Sequence, residues 1–181
     1  MENNKKLESE KVKSEAKQNT LLSPEMIDLI VYDFDGVMTD NKVYLREDGL
    51  ETVVVNRSDG LAVEILKGIG VKQVILTKER NKVVEARANK LKIPLIKGVD
   101  NKKDMLISFC EEHKILLDNV IYIGNDINDV EAMSIVGYPL CPLDAYEEVK
   151  ELPKVVVLNA RGGDGVVREL LNHVKITKEE V

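Results

Sequence analysis

The chain is poor in cysteine and aromatic residues, and it lacks any long uninterrupted apolar run. Its 181 residues include two cysteines and no tryptophan, and the aromatic fraction is 4%. Cys110 and Cys141 do not have the spacing of a zinc site, so we expect two ordinary buried thiols. The sequence has no apolar stretch of membrane-spanning length and no apolar signal-peptide core, and it therefore predicts a soluble cytoplasmic protein.

Positive charge is also in deficit, since the formal net charge is -6. A surface that binds nucleic acid needs a basic face to neutralise phosphates, so we expect no nucleic-acid partner. The first 24 residues are almost wholly charged and polar, and they predict a poorly ordered tail. Residues 25–181 have the length and apolar content of a single domain.

Beyond residue 25, apolar strand-like runs alternate with helix-like segments. The strand candidates are LIVYDF (29–34), VKQVILT (71–77), IPLIKG (93–98), NVIYIG (119–124), YPLCP (138–142) and KVVVLN (154–159). The segments between them combine one apolar side with a charged side. Strand–helix alternation at this spacing predicts an α/β fold, in which a parallel sheet carries helices on both faces.

One segment breaks the alternation. KVYLREDGLETVVVN consists of two extended runs around EDG, and it predicts a β-hairpin at about 41–56. Because the hairpin follows the first strand directly, we expect it to overhang the carboxyl end of the sheet. Ligands bind at that end in folds of this kind.

Polar residues gather where the predicted strands end. In VYDFDGVMTD, Asp33 and Asp35 follow the first strand, although a desolvated carboxylate without a partner is very costly. Thr77 follows the second strand, Lys102 opens a later helix, and GNDIND (124–129) follows the fourth strand. Carboxylate and carbonyl oxygens suit Mg²⁺ better than zinc. We therefore expect Mg²⁺ to neutralise the two aspartates, with a lysine balancing part of the remaining charge.

The strings DFDGVMTD, ILT, NKKD and GNDIND, in this order and spacing, resemble the four motifs of the haloacid dehalogenase superfamily of phosphatases. This resemblance implies a Rossmann-like parallel sheet, here with a small β-hairpin cap. It also implies hydrolysis of a phosphate ester through an aspartyl-phosphate.

The resemblance assigns roles to individual residues. Asp33 is the implied nucleophile, and Asp35 is the implied general acid that later becomes the base. Thr77 and Lys102 are implied to hold the transferring phosphoryl group. The side chain of Asp33 and the backbone carbonyl of Asp35 are the implied Mg²⁺ ligands.

The fourth motif departs from the form G-D-x-x-x-D that many relatives have, because Asn125 stands at the first acid. Two alternatives remain open: Asn125 binds Mg²⁺ through its amide oxygen, or Asp126 takes over as ligand. An amide ligand carries one negative charge fewer, which predicts weaker metal binding. Asp129 is expected to lie behind the metal and support its ligands.

The short hairpin resembles one subgroup of the superfamily, the phosphatases of 3-deoxy-2-ulosonic acid phosphates. Members are usually homotetramers in which neighbouring subunits complete the site, so the resemblance implies a homotetramer acting on a small sugar-acid phosphate. RGGDGVVRE (161–169) resembles the subgroup's C-terminal signature, and it implies that Arg161 swings on flexible glycines onto a sugar carboxylate. NRSDG (56–60) adds Ser58 and Asp59 to the substrate-binding candidates.

TKER follows the second strand, where octulosonate 8-phosphate phosphatases commonly carry T-G-R. Glu79 together with Lys90, and Arg87 one turn earlier, resembles the form that acts on nonulosonate 9-phosphates. Without the resemblance, the same charges are explained as a solvated helix face. The leading prediction is a Mg²⁺-dependent nonulosonate 9-phosphate phosphatase. The alternatives are a 3-deoxy-D-manno-octulosonate 8-phosphate phosphatase and a non-catalytic tetramerising domain linked to sugar-nucleotide synthesis.

Overall fold

A six-stranded parallel sheet with helices on both faces forms the body of the protein in the computed structural model, which describes residues 21–175. The strand order is β5–β4–β1–β6–β7–β8, and a separate two-stranded sheet pairs β2 with β3. The strands are β1 Leu29–Tyr32, β2 Tyr44–Leu45, β3 Glu51–Thr52, β4 Lys72–Leu76, β5 Leu95–Ile96, β6 Val120–Ile123, β7 Tyr138–Cys141 and β8 Val156–Val157. The predicted fold class is confirmed.

The helices follow the strands in the predicted alternation. They are α1 Arg57–Gly68, α2 Lys82–Leu91, α3 Lys102–His113, α4 Ile127–Met133, α5 Glu147–Lys150 and α6 Val166–Leu170. Asparagine caps the first three helices: the side chains of Asn56, Asn81 and Asn101 accept hydrogen bonds from backbone N–H groups of the first turn. These caps satisfy donors that have no partner within the helix.

Strand β1 lies at the centre of the sheet, paired with β4 on one side and β6 on the other. Its residues are all buried, and they alternate between two apolar cores. Ile30 and Tyr32 contribute to the core beneath α1, α2 and α6, and Leu29 and Val31 contribute to the core beneath α3, α4 and α5. The residues that follow β1 therefore emerge at the middle of the carboxyl edge.

The two outermost strands are shorter than their apolar runs predicted. Only Leu95–Ile96 of IPLIKG and Val156–Val157 of KVVVLN form strand. Each is an edge strand that pairs with a single neighbour, β4 or β7, so fewer residues find ladder partners.

The predicted hairpin is present as β2 and β3, with Tyr44 opposite Thr52 and Leu45 opposite Glu51. A further antiparallel bridge joins Thr39 to Val55 at its base. Residues 1–20 of the predicted tail lie outside the described residues. Cys110 and Cys141 are buried free thiols, as expected. Within residues 21–175, no helix combines the length and apolarity that crossing a bilayer requires.

Candidate active site

Asp33 is the first residue beyond β1, and it lies almost fully buried at the carboxyl edge, 4% exposed. Its backbone N–H donates to Ile123 O at 2.9 Å, and its Oδ1 accepts from Phe34 N at 2.8 Å. Burial and, next, the neighbouring Asp129 raise the pKa of the Asp33 carboxyl to about 8, although Lys102 and the Phe34 N–H act to lower it. The lysine alone leaves this carboxylate undercompensated, so a second cation beside it would stabilise the ionised form.

Lys102 opens α3, and its side chain is completely buried. Its Nζ lies 2.8 Å from Asp33 Oδ1 and 2.7 Å from Asp129 Oδ1. Burial by itself lowers the pKa of Lys102, but the two carboxylates outweigh that effect and the pKa is raised. The ammonium group therefore stays charged between two aspartates.

Asp129 lies behind this pair and is fully satisfied. Its Oδ1 accepts from Tyr122 OH at 2.9 Å as well as from Lys102, and its Oδ2 accepts from Asn125 N at 3.0 Å and Asp126 N at 3.3 Å. A Cβ at Gly124 would lie 2.5 Å from Asp129 Cβ, so only glycine fits before this motif. These contacts hold Asp129 beside Lys102 and the backbone of the fourth motif, and its support of the metal ligands stays a prediction.

Thr77 and Asp35 complete the polar edge. The Thr77 hydroxyl oxygen accepts from Glu79 N at 3.1 Å, which leaves its hydrogen available to an acceptor in the cleft. Burial raises the pKa of the half-buried Asp35 carboxyl, Glu79 and Glu51 raise it further, and Thr39 opposes them through a 3.3 Å hydrogen bond. A raised pKa favours the protonated form that a general acid requires.

These residues open onto a cleft of about 350 Å³. Its walls are formed by Asp33, Asp35, Asn41, Thr77, Lys78, Glu79, Arg80, Asn125, Asp126 and Asn128. Six of the site residues predicted from the sequence line this cleft directly. Lys102 lies behind Asp33 rather than on the cleft wall, in contact with the carboxylate that it balances.

The sequence analysis missed four residues that line the cleft. Lys78 and Arg80 follow β4 immediately, like Thr77, and their position at a strand exit is the signal that could have found them. Asn128 lies inside the GNDIND string, and its Oδ1 is buried without a hydrogen-bond partner among residues 21–175. Asn41 comes from the start of the hairpin segment.

The donor set fits a hard divalent cation. Asn125 Oδ1 is buried and lacks a hydrogen-bond partner within the described part of the chain, whereas Asp126 Oδ1 accepts from Ile127 N at 2.6 Å and caps α4. The amide oxygen of Asn125 is therefore available to bind a metal, whereas one oxygen of Asp126 already accepts a backbone hydrogen bond. Across residues 21–175, no three His, Cys, Asp or Glu side chains form a metal-binding group.

Two predicted substrate residues lie elsewhere, which corrects the expected pairing of Glu79 with Lys90. Arg87 and Lys90 line a second cavity of about 610 Å³ between α1 and α2, and Glu79 lines the first. Arg87 is 7% exposed, and its guanidinium donates to Asn56 O at 2.8 Å. Arg87 thus contacts the N-terminal cap of α1, and Lys90 lies about one turn further along α2.

Ser58 and Asp59 do not line the cleft either, and their contacts are structural. The Ser58 hydroxyl donates to Asn56 Oδ1 at 2.8 Å within the α1 cap. Asp59 is fully buried, and its Oδ1 accepts from Arg168 N at 3.0 Å, which ties α6 to α1. Burial raises the pKa of Asp59 to about 6.

Arg161 is exposed, 3.7 Å from Asp144 Oδ2, and it is not part of the cleft wall. The glycines that follow it pack closely against the turn after β1: a Cβ at Gly162 would lie 2.3 Å from Gly36 O, and one at Gly163 would lie 2.6 Å from Asp40 N. These glycines allow two loops to touch, which replaces the expectation that they supply flexibility. The contact keeps Arg161 beside the loop that carries Asp33 and Asp35.

A sequence profile of haloacid dehalogenase-like hydrolases matches residues 75–170, which is more than half of the chain. The chain belongs to this family. Its parallel sheet, its cleft at the carboxyl edge and its small hairpin are those of a haloacid dehalogenase-like hydrolase, as the motif order predicted.

Three similar proteins indicate which activities within this family the chain resembles. The 3-deoxy-D-manno-octulosonate 8-phosphate phosphatase of Yersinia pestis is 31% identical over 162 residues, covering 86% of this chain and 83% of that protein. N-acylneuraminate cytidylyltransferase A of Danio rerio is 30% identical over 161 residues, covering 87% of this chain but only 37% of that protein. The Moraxella catarrhalis 3-deoxy-D-manno-octulosonate 8-phosphate phosphatase, solved with magnesium ion, phosphate ion and KDO, superposes with a TM-score of 0.77 at 29% identity, covering 81% of this chain and 84% of that one. The predicted enzyme class, a phosphatase, is confirmed.

Proposed function

We propose that this haloacid dehalogenase-like hydrolase releases phosphate from the 9-phosphate of a nonulosonate, a nine-carbon 3-deoxy-2-keto sugar acid, through an aspartyl-phosphate on Asp33. The observation that carries the proposal is the buried contact of Asp33 Oδ1 with Lys102 Nζ, 2.8 Å apart, at the base of the cleft. A carboxylate held by an ammonium group at the end of a central strand is positioned as a nucleophile.

The reaction consists of two displacements at phosphorus. Asp33 attacks the phosphorus, the bond between phosphorus and the ester oxygen breaks, and Asp35 donates its proton to the departing alkoxide. Asp35 then takes a proton from water, and that water attacks the aspartyl-phosphate to release inorganic phosphate and regenerate Asp33. Thr77 and Lys102 stabilise the negative charge on the phosphoryl oxygens in both steps.

Mg²⁺ is the proposed cofactor, held by the Asp33 carboxylate, the Asp35 backbone carbonyl and Asn125 Oδ1. When bound, it would offset the charge that burial makes costly at Asp33 and draw the anionic phosphate group to the nucleophile. Asn125 Oδ1 supports this assignment, because it is buried and has no hydrogen-bond partner among residues 21–175.

The choice between a nine-carbon and an eight-carbon substrate rests on Glu79. This residue lines the cleft, and it belongs to TKER, the string that replaces the T-G-R of octulosonate 8-phosphate phosphatases. Lys90, which the resemblance pairs with Glu79, lines the other cavity. The second candidate is therefore the eight-carbon 3-deoxy-D-manno-octulosonate 8-phosphate, because the Yersinia pestis and Moraxella catarrhalis relatives are phosphatases of that compound.

A phosphate-release assay with both sugar phosphates, each with and without Mg²⁺, tests the proposal. We expect a higher kcat/KM for the nine-carbon substrate and no release without a divalent ion. A higher kcat/KM for the eight-carbon substrate would replace the leading candidate with the second. Release from neither would contradict the sugar-acid assignment.

The Glu79→Gly variant tests the specificity argument. Removing the Glu79 carboxylate, which also accepts from Arg80 N and Asn81 N at 2.6 Å, should lower the nine- to eight-carbon ratio of kcat/KM by several-fold. Glu79→Gln is the control, because it keeps an oxygen acceptor for the same two N–H groups. An unchanged ratio in Glu79→Gly would separate Glu79 from substrate selection.

A non-catalytic role as an assembly domain has less support. A resemblance to phosphatase-like segments of sugar-nucleotide synthetases favours this role. The Danio rerio relative is a longer protein, of which this chain matches 37%. An assembly domain has no need of a buried lysine between two buried aspartates. Such a charge cluster costs stability, and a protein retains it where function requires it.

A further inference from the structure

We propose that Tyr122 is a positioning residue that holds Lys102 against the nucleophile by acting through Asp129. This inference rests on the proposed phosphoryl transfer at Asp33 and adds a residue that contacts neither substrate nor metal ligand. Tyr122 belongs to β6, the strand next to β1, and its side chain is completely buried.

The Tyr122 hydroxyl donates to Asp129 Oδ1 at 2.9 Å. Lys102 Nζ donates to the same oxygen at 2.7 Å, and the other carboxylate oxygen accepts the two backbone N–H groups at the start of the α4 turn. Four donors thus fix the orientation of one buried carboxylate. Tyr122 supplies the one donor of the four that comes from the middle of the sheet.

Lys102 divides its ammonium hydrogens between Asp33 and Asp129, at nearly equal distances of 2.8 and 2.7 Å. A hydrogen bond to a charged group is strong, and it lowers the charge that an acceptor oxygen presents to its other donor. Without the Tyr122 hydroxyl, Asp129 Oδ1 presents more charge to Lys102 and draws the ammonium group away from Asp33. The nucleophile and the phosphoryl group then lose part of their electrostatic support.

Tyr32 provides a matched control. It is also a fully buried tyrosine, it lies in the adjacent strand β1, and its hydroxyl makes a hydrogen bond of 2.8 Å to Gln73 Oε1. Its side chain belongs to the opposite core, away from Asp129. Tyr32→Phe and Tyr122→Phe therefore remove the same group from equivalent burial, and only the second loses a contact to the charge cluster.

The experiment compares the two variants on p-nitrophenyl phosphate, a substrate that makes no sugar contacts. For Tyr122→Phe we expect kcat to fall about tenfold with KM within about twofold of wild type, because the lost interaction acts in the transition state. For Tyr32→Phe we expect both constants to remain close to wild type. Replacing Tyr122 with p-aminophenylalanine, which keeps a donor at the same place, should restore most of kcat.

A crystal structure of Tyr122→Phe supplies a readout that does not depend on activity. We expect Lys102 Nζ to move away from Asp33 Oδ1 and toward Asp129.

The inference is overturned if Lys102 keeps its place, if kcat is unchanged, or if Tyr32→Phe loses as much activity as Tyr122→Phe. A wild-type enzyme that hydrolyses no phosphate ester would refute the proposed function, and the position of Lys102 in the variant would still decide the inference. If Tyr122→Phe does not fold, the p-aminophenylalanine variant tests the inference instead. A kcat equal to that of the wild type supports the role of the hydrogen-bond donor. A tenfold loss of kcat with an unchanged fold contradicts it.

Discussion

Asp33 and Lys102 are buried charges that exist only because each compensates the other. The pKa of the Asp33 carboxyl is raised to about 8, chiefly by burial, even with Lys102 in contact at 2.8 Å. Asp129 binds the same ammonium group at 2.7 Å and is itself satisfied by neighbouring donors. Two carboxylates against one lysine leave an excess of negative charge at the cleft, which is where the proposed cation fits.

Asp33→Asn should reduce kcat by on the order of a thousandfold or more, because the amide cannot form the acyl-phosphate. The fold should persist, since the substitution preserves shape and removes a costly buried charge. Kinetics and circular dichroism test both parts. Asp28→Asn is the control, because Asp28 precedes β1 and its carboxylate accepts a hydrogen bond from Asn119 Nδ2 at 2.9 Å, outside the cleft. Substantial turnover in Asp33→Asn would exclude the aspartyl-phosphate mechanism.

Asn125→Asp should lower the Mg²⁺ concentration for half-maximal activity by about tenfold, since a carboxylate replaces an amide oxygen as ligand. The comparison variant is Asp126→Asn, which keeps an oxygen to accept from Ile127 N at the α4 cap. We expect its metal titration to match that of wild type. The opposite pattern, a shift in Asp126→Asn alone, would transfer the ligand role to Asp126.

At the scale of elements, the site depends on contacts between loops. The turn after β1 contains Gly36 at φ +79°, and a Cβ there would lie 2.0 Å from Asn125 Nδ2. The loop before α6 approaches the other side of the same turn through Gly162 and Gly163, and Gly163 N donates to Val37 O at 3.1 Å. The turn that carries Asp33 and Asp35 is thus held between two segments that lie far apart in the sequence.

Gly162→Ala should destabilise the protein by about 2 kcal/mol, because the new Cβ meets the backbone oxygen of Gly36 and the loops must move apart. Activity should fall several-fold, since the displaced turn carries Asp33 and Asp35. Chemical denaturation and kcat measure the two effects. In Gly68→Ala the added Cβ meets nothing within 4 Å, so this variant should be nearly neutral. Equal behaviour of the two variants would contradict the packing role.

At the scale of the whole molecule, the hairpin presents apolar side chains to solvent. Most apolar residues of the protein are buried, but several large apolar side chains of the hairpin are exposed. These side chains are Val43, Tyr44, Leu45, Leu50 and Val54. Exposed apolar side chains gathered on one element mark an interaction surface. Glu51 Oε2 accepts from Asn81 Nδ2 at 2.9 Å and fixes the hairpin beside the cleft. A homotetramer assembled through this surface, as the resemblance implies, remains a proposal.

Light scattering after size exclusion should give a mass four times that of one chain. Tyr44→Glu combined with Leu45→Glu should dissociate the assembly, because two charges would enter a buried apolar contact. Leu116→Glu is the control: Leu116 is 67% exposed, close to the 69% of Leu45, but it precedes β6 at the opposite end of the sheet. A monomeric wild-type protein would contradict the proposal.

Periodicity and motif order in the sequence determined the sheet, the helices, the hairpin and the positions of Asp33, Thr77, Lys102 and Asp129. These features follow from local rules, because side-chain period sets element type and parallel strands bring their carboxyl ends to one edge. The sequence therefore indicated the family and the phosphatase class, and the catalytic roles of these four residues stay predictions.

The tertiary structure alone decided the surroundings of that centre. It separated Lys90 and Arg87 from Glu79, gave Asp59 a structural contact with Arg168 N, and placed Tyr122 against Asp129. None of these contacts has a sequence signal, because each depends on how helices and strands rotate and pack after they form. Spacing along the chain locates residues at an edge, whereas the direction in which each side chain points is fixed by long-range packing.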